Sequence, residues 1–528
     1  MYNISYQNTN YFTKTVINYL NQDDRIKSFY GIFPSLENFK KQIELKSKSF
    51  DNLNRKPLIN TLKSQYKNLN TSVKTQDNIE LLLKDNSFTI TTGHQLNLFT
   101  GPLYFLYKII STINLCEELK SKYPDNNFIP IYWMATEDHD FEEIQYFNFK
   151  NKKIKWNRKS SGAVGRLSTR GLDIVLNEIK KLFGTSKNAE KLIQLFEESY
   201  LKHDKLTEAT RYLTNELFKN FGLVIIDADD LSLKKEFIPF IEEELFKNTA
   251  FEEVSKTNKS FDEHYKIQVN PRKINLFYLT DKLRERIIFE DNLFKINNTD
   301  LSFTWEEMQI EVINNSERFS PNVIMRPLYQ EVILPNLCYI GGGGELAYWL
   351  ELKNYFEKVK VSFPILLLRN SALIMSNKQS RKLEKLNISN EELFLKQTDL
   401  INKKVRETSN LNLDFSKQKQ FLQEQFEQFK IVAKQTDKSF IGAVNAQEIK
   451  QIKGIENLEK RLLKAEKRKL ADIVNRITLL QDELFPKQSL QERYTNFSEM
   501  YLEFGDDLIP LLKENLKPLE LKFSILEL

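Results

Sequence analysis

The stretch from Ser87 to Glu143 constrains the fold more than any other. Residues 87–92, SFTITT, are β-branched and aromatic and read as a short strand that Gly93 breaks. Gly101-Pro102 opens a helix with Leu103, Leu106, Ile110 and Ile113 at helical spacing. Residues 128–134, FIPIYWM, form a nearly continuous apolar run, the pattern of a strand buried on both faces. Strand, helix and strand of this length make a βαβ unit, whose crossover is right-handed. Two polar clusters, Gly93-His94-Gln95 and Glu137-Asp138-His139-Asp140, follow the carboxyl ends of the two strands. In an open α/β sheet that edge is where ligands bind.

A second unit of the same kind is spelled by Asn336–Ile340, a glycine loop at Gly341–Gly344, a helix over Glu345–Phe356 and a strand over Pro364–Leu368. Residues 222–227, GLVIID, add a third core strand with Asp227 at its carboxyl end. The expectation is an α/β fold: a doubly wound parallel sheet of about five strands with inserted connecting segments. Polar helices fill residues 1–80, and the core spans 81–380 with inserts at about 144–220 and 232–318. Within the second insert, Lys266–Val269, Ile274–Leu279 and Arg286–Phe289 read as short antiparallel strands.

Beyond residue 380 heptads replace glycine and proline. Phe415, Leu422, Phe426, Phe429, Ala433 and Phe440 follow a 3,4 spacing. So do Ile455, Leu458, Leu462 and Ala465, and then, after a phase slip, Leu470, Ile473, Ile477, Leu480 and Leu484. The prediction over 381–490 is an antiparallel α-helical coiled-coil hairpin turning near Thr436–Gly442 and serving as a homodimer contact. The tail, 491–528, reads as helix packing back on the core. The basic run Glu459–Lys469 is the solvated face of the coiled coil.

Composition excludes several classes. Seventy-seven basic against 72 acidic residues leave a net charge of +5, which implies neither a nucleic acid nor a membrane partner. The two cysteines, Cys116 and Cys338, are far apart and lack any CxxC, which fits a reducing compartment rather than a disulfide framework or zinc ribbon. The start, MYNISYQNTNYF, has no signal-peptide pattern, and no apolar run is long enough to span a bilayer. The expectation is a cytoplasmic protein.

The candidate chemistry sits at the strand ends. His94, held beside Gly93 and Gln95, is placed to donate to a phosphate or carboxylate oxygen; the alternative is a satisfied histidine in a tight turn. Glu137, Asp138, His139 and Asp140 suit Mg²⁺ of a nucleotide, an amine, or general base chemistry, with Asp140 also patterned as a helix cap over Glu143. No HxxxH or cysteine pair supports zinc, so no tightly bound metal is expected. The Gly341–Gly344 amides at a helix start can face an anion, although no Walker A lysine follows. Gly342, Gly344 and Ala347 also loosely match a dinucleotide fingerprint, with Arg369 where an acid normally sits, which leaves an NADP-dependent oxidoreductase in view. Arg326 could clamp a carboxylate, and Gln330 lies one turn further on. Ser376–Ser380 resembles a mobile lysine loop of class I synthetases by chance only.

The stretches TTGHQLNLFTGPLYFLYK, IPIYWMATEDHDFEEI, FSPNVIMRPLYQEVILPNLCYIGGGGELAYWLELK and LEKRLLKAEKRK closely resemble the bacillithiol biosynthesis cysteine-adding enzymes (BshC), over nearly the whole chain. Thr100-Gly101-Pro102 and Glu137–Asp140 match the pattern. His94 stands where family members often carry glutamine, and Gly343 where many carry proline. The resemblance implies a Rossmann-like core, a dimer-forming coiled coil and a ligase that joins the cysteine carboxyl to the amine of glucosaminyl-malate. The expected co-substrate is ATP with Mg²⁺. In that reading Thr92, Gly93, Gln95, Thr100, Gly101 and Gly341–Gly344 bind nucleotide or substrate. Asp138, His139 and His94 act on the reacting groups, while Glu137, Asp140, Arg326, Gln330 and Glu345 hold the polar ends of the substrates. A coiled-coil scaffold with an inactive core is the third reading.

Overall fold

The computed structural model describes residues 1–436 and 439–528 in full, and the backbone of residue 438. The chain forms two compact units. The first comprises Met1–Gln7, Tyr11–Leu373 and Gln491–Leu526, and the second Asn8–Asn10, Ile374–Leu490 and Glu527–Leu528. The N-terminal helices therefore fold together with the sheet rather than as a segment of their own.

The first unit is built on a five-stranded parallel sheet. Its elements in chain order are β1 (Ser87–His94), α1 (Tyr104–Lys122), β2 (Asn127–Met134), β3 (Val224–Asp227), α2 (Met325–Ile333), β4 (Asn336–Gly341), α3 (Gly343–Leu350) and β5 (Ile365–Leu368). The order across the sheet is β5-β4-β1-β2-β3. From β1 the chain winds outward through β2 to β3, then returns to the other side of β1 and winds outward again through β4 to β5. The direction of winding reverses between β1 and β4, so a crevice must open at their carboxyl ends. Every residue of β1 is buried, as are all but the first of β2, because helices cover both faces. Phe88, Ile90, Leu115, Phe128, Ile340 and Leu367 meet in one core cluster that also takes up Cys116 and Cys338. Burial pushes both thiols well above the ordinary cysteine range, so neither is a reactive sulfur.

A five-stranded antiparallel sheet forms the larger insert, ordered Ser302–Phe303, Leu293–Ile296, Leu283–Glu290, Leu276–Thr280 and Phe319–Pro321. The expected strand at Lys266–Val269 is not formed. There the backbone amides of Gln268 and Val269 donate to the Glu351 carboxylate instead of to a neighbouring strand. A hairpin of Tyr146–Phe149 and Lys152–Lys155 lies in the polar region after β2.

The C-terminal tail corrects the all-helical expectation. It ends in a strand, Phe523–Glu527, whose residues pair antiparallel with Tyr2–Ile4 at the opposite end of the chain. Local sequence cannot reveal a partner so remote.

In the second unit, helices Ser416–Ala433 and Lys438–Lys469 lie antiparallel, with rungs at Lys430–Glu448 and Lys419–Glu459. Phe426, Ala433 and Val444 form the seam with Leu422 and Ile441. Phe429, Phe440 and Leu458, assigned to the seam by heptad phase, are exposed. Packing two helices uses a narrower stripe than the full heptad list. The turn expected over Thr436–Gly442 includes residue 437, which lies outside the described residues; the second helix already begins at Lys438. Among the described residues no helix is long and apolar enough to cross a membrane.

Candidate functional site

A cavity of about 770 Å³ opens at the carboxyl ends of β1, β2 and β4 and is roofed by the antiparallel insert. Gly93 and His94 are the last two residues of β1, paired with Trp133 and Met134, so Gly93 does not break the strand as expected; with Gln95 they form the cavity wall, and Thr136, Glu137, Asp138 and His139 leave β2 beside them. Gly93 is required by close approach at the reversal point. A Cβ there would sit 3.1 Å from the Tyr339 hydroxyl and 3.8 Å from Arg326 Nη1.

The loop after β2 is braced on both sides. Gly165 N donates to Thr136 O (2.8 Å) and Val164 N to Asp138 O (2.7 Å). The fit is tight enough that a Cβ on Gly165 would lie 2.6 Å from Thr136 Cβ. Asp138 Oδ1 accepts the backbone amides of His139 (2.7 Å) and Asp140 (3.4 Å), while Oδ2 accepts Gln95 Nε2 (2.8 Å). Gln95 Nε2 also donates to Glu143 Oε2 (2.8 Å), joining the two strand ends. Glu137 turns inward to Lys234 Nζ (2.7 Å); burial raises its carboxyl and the lysine opposes the rise. Asp140 is an exposed helix cap, accepting Glu143 N (3.4 Å), and does not line the cavity.

His94 lies on the cavity wall with its ring centroid 5.5 Å from that of Tyr104 and 5.1 Å from that of Phe105. Burial, then the charge of Lys108, push its imidazole down to about 3, so it is neutral at physiological pH. Among the described residues its Nε2 is buried without a hydrogen-bond partner.

The glycine run corrects the expected anion cradle. Gly341 ends β4, Gly342 is the helix cap, and Gly343 and Gly344 are already the first turn of α3. None of the four lines the cavity. Gly342 N donates to Glu345 Oε2 (2.8 Å), so the helix start is closed by its own carboxylate. Glu345 further binds Lys108 Nζ (2.6 Å) through Oε2 and the Tyr339 hydroxyl (2.6 Å) through Oε1. Burial works to raise this carboxyl, but Lys108, Tyr339 and the Gly342 amide outweigh it and hold it below the usual range. Lys108 completes the lock by donating to Gly93 O (2.6 Å).

Four other expected residues are structural. The Thr92 hydroxyl donates to Ile340 O (2.7 Å) across the β1–β4 pair. Thr100 and Gly101 lie in a buried turn that Asn496 clamps through Phe99 O (2.8 Å) and Gly101 O (2.5 Å). Gln330 stands behind Arg326, accepting its Nη1 (3.3 Å) and donating to Glu331 (3.1 Å), which pairs with the buried Lys46 (2.9 Å). Arg326 itself lines the cavity, with Nη2 donating to the Tyr348 hydroxyl (3.0 Å). Asp227 is sequestered below the site, accepting the Thr136 (2.5 Å) and Thr207 (2.9 Å) hydroxyls.

The insert supplies residues that the sequence reading did not single out. Arg272, Arg284 and Arg286 line the cavity with Arg326, and Arg284 and Arg286 share a strand face by the two-residue period. Lys234 and Lys108 are both neutralised by carboxylates, so these four arginines give the cavity its cationic character. Among the described residues no group of three or more His, Cys, Asp or Glu side chains is placed to hold a metal ion. Arg369, the residue an NADP reading would need, is spent on a buried pair with Glu492 (2.7 Å).

Residues 1–370 match the family model described as the bacillithiol biosynthesis BshC N-terminal Rossmann-like domain, and residues 372–528 match the C-terminal coiled-coil domain of BshC. The chain belongs to the BshC family of bacillithiol biosynthesis. A Flavobacterium johnsoniae relative is 59% identical over 99% of both chains, and one from Christiangramia forsetii is 57% identical over 99% of this chain and 98% of its own. A Bacillus thuringiensis subsp. konkukian relative is 28% identical over 94% of this chain and 95% of its own. All three carry the name "Putative cysteine ligase BshC". The family's domain boundary falls beside the break between the compact units at Leu373 and Ile374, yet Gln491–Leu526 is part of the first unit.

Proposed function

We propose that this BshC-family chain is an ATP-dependent cysteine ligase that forms an amide between the cysteine carboxyl and the amine of glucosaminyl-malate. The observation that carries the reading is the cavity: a cationic arginine set faces Asp138 and His139 across the reversal point of a Rossmann-like sheet. Both co-substrates are anionic, one through its phosphates and the other through the two carboxylates of its malyl group. Arg272, Arg286 and Arg326 are the groups fitted to such charges.

A carboxylate does not expel oxide, so cysteine must first be activated. Its carboxylate oxygen attacks the α-phosphorus of ATP, pyrophosphate departs, and a cysteinyl-adenylate results. The sugar amine then attacks the carbonyl carbon, the C–N bond forms, and AMP leaves with the electrons of the C–O bond. The proton lost from nitrogen passes to Asp138, whose Oδ2 faces Gln95 rather than a cation. Gln95 orients that carboxylate. His94, neutral and buried, shapes the wall without exchanging protons. Mg²⁺ accompanies the nucleotide and needs no resident site. The coiled-coil hairpin serves as the homodimer contact, for which the exposed Phe429 and Leu458 are available.

The test is a mass-spectrometric assay of purified protein with ATP–Mg²⁺, cysteine and glucosaminyl-malate. Amide product with AMP in equal amount supports the proposal. Product with ADP replaces the adenylate by an acyl phosphate, and absence of product with every nucleotide overturns the ligase reading.

A further inference from the structure

His139 has two competing partners at one nitrogen. Arg284 Nη1 lies 2.6 Å from His139 Nδ1, whereas Asp138 Oδ1 lies 3.7 Å from the same atom. Asp138 Oδ1 is also occupied by two backbone amides. A guanidinium is protonated at every accessible pH and can only donate. The short contact therefore requires a lone pair on Nδ1, which leaves the ring proton on Nε2.

Arg284 is not free to move away. Its Nε donates to Ser320 Oγ (3.1 Å), its Nη2 to Pro321 O (3.2 Å), and its guanidinium carbon lies 4.0 Å from the centre of the Phe277 ring. The three anchors come from neighbouring strands of the insert sheet, and the His139 ring packs on the same Phe277 at 5.5 Å. Three N–H donors remain, and one of the two on Nη1 is aimed at His139 in the loop after β2.

We propose that Arg284 is a positioning residue that fixes His139 as the Nε2–H tautomer, so that His139 donates a hydrogen bond to substrate and Asp138 alone accepts a proton. The tautomer stands independently of the reaction; its use in catalysis rests on the ligase reading. The oxygen that needs such a donor is the carbonyl oxygen of the activated cysteinyl group, which gains negative charge as the amine attacks. The charged groups around the ring are Asp138 and Asp140 on its own segment and Arg284 and Glu285 on the insert. Burial and then Arg284 lower the imidazole, against the three carboxylates, which favours the neutral ring.

Selective ¹⁵N-histidine labelling of the full chain tests this directly, because only four histidines contribute signals and a His139→Gln spectrum assigns the one of interest. The expected result is a single Nε2–H tautomer for His139 at neutral pH. In Arg284→Met the ring should exchange between tautomers and titrate at higher pH, and kcat should fall about tenfold to a hundredfold with KM little changed. Arg284→Lys, which keeps a cationic donor, should recover part of both. A proton on Nδ1 in the unmodified protein, or an unchanged tautomer in Arg284→Met, overturns the proposal. Should Arg284→Met fail to fold, the unmodified protein's tautomer and Ser320→Ala, which loosens the anchor, still decide it. The Nε2–H tautomer in a protein that forms no amide would uphold the positioning and refute the ligase reading.

Discussion

Two helix-bearing junctions flank the reversal point of the sheet, and they resemble each other in sequence far more than in structure. After β2, acids and a histidine follow an apolar strand; after β4, a glycine run and an acid do the same. The β2 junction is open: Asp138 and His139 line the cavity. The β4 junction is closed, since Glu345 consumes the Gly342 amide, Lys108 and the Tyr339 hydroxyl. A helix start with its own acid three residues in is already neutralised, whatever its glycine content. In the proposed ligase the chemistry belongs to the open β2 junction.

Four perturbations sharpen that contrast. The largest expected effect is on the open side: Asp138→Asn should lower amide formation by about a hundredfold or more with an unchanged denaturation midpoint, measured by steady-state kinetics and urea unfolding. On the closed side the effect should move to stability. Lys108→Met leaves the half-buried Glu345 without its cation, and urea unfolding should show a loss of about 1–3 kcal/mol.

The third concerns pH. His94 is held near 3 in the folded protein against an ordinary value of 6.5, so the unfolded chain binds more protons between those values. Its contribution is therefore full above pH 6.5 and is lost as pH falls toward 3. Stability of His94→Gln should decline less steeply than that of the unmodified protein across this window, by on the order of one to a few kcal/mol. The pH dependence of activity near neutrality should not change. Glu244 and Glu351, both raised to about 7 by burial, act in the opposite sense. They favour the folded state as pH falls from 7 to about 4.5 and are common to both proteins.

The smallest effect is expected from Gly344→Ala. A Cβ there meets nothing within 4 Å and the residue is helical, so the substitution should stabilise by roughly 0.5–1 kcal/mol and leave activity intact. An anion cradle made of these amides would not tolerate it as quietly.

The sheet was legible because its strands and crossover helix announce themselves by periodicity, and the β2 cluster because charge beside a buried strand demands a reason. Lys108 was not, since it interrupts an apolar helix face and its partner Glu345 is remote in sequence. Arg284 meets His139 from 145 residues away, through an insert whose strands carry only weak alternation. The glycine run misled for a different reason: an amide nest awaiting phosphate and one capped by a carboxylate share the same letters. The strand at Phe523–Glu527 was hidden because its partner lies at the other terminus.

The most direct test of the contrast is hydrogen–deuterium exchange of the full chain with and without ATP–Mg²⁺ and cysteine, read by mass spectrometry over peptides covering 93–97, 135–140 and 341–346. Protection of the first two segments with no change in the third is predicted. Protection confined to 341–346 would contradict the account and return the chemistry to the glycine run.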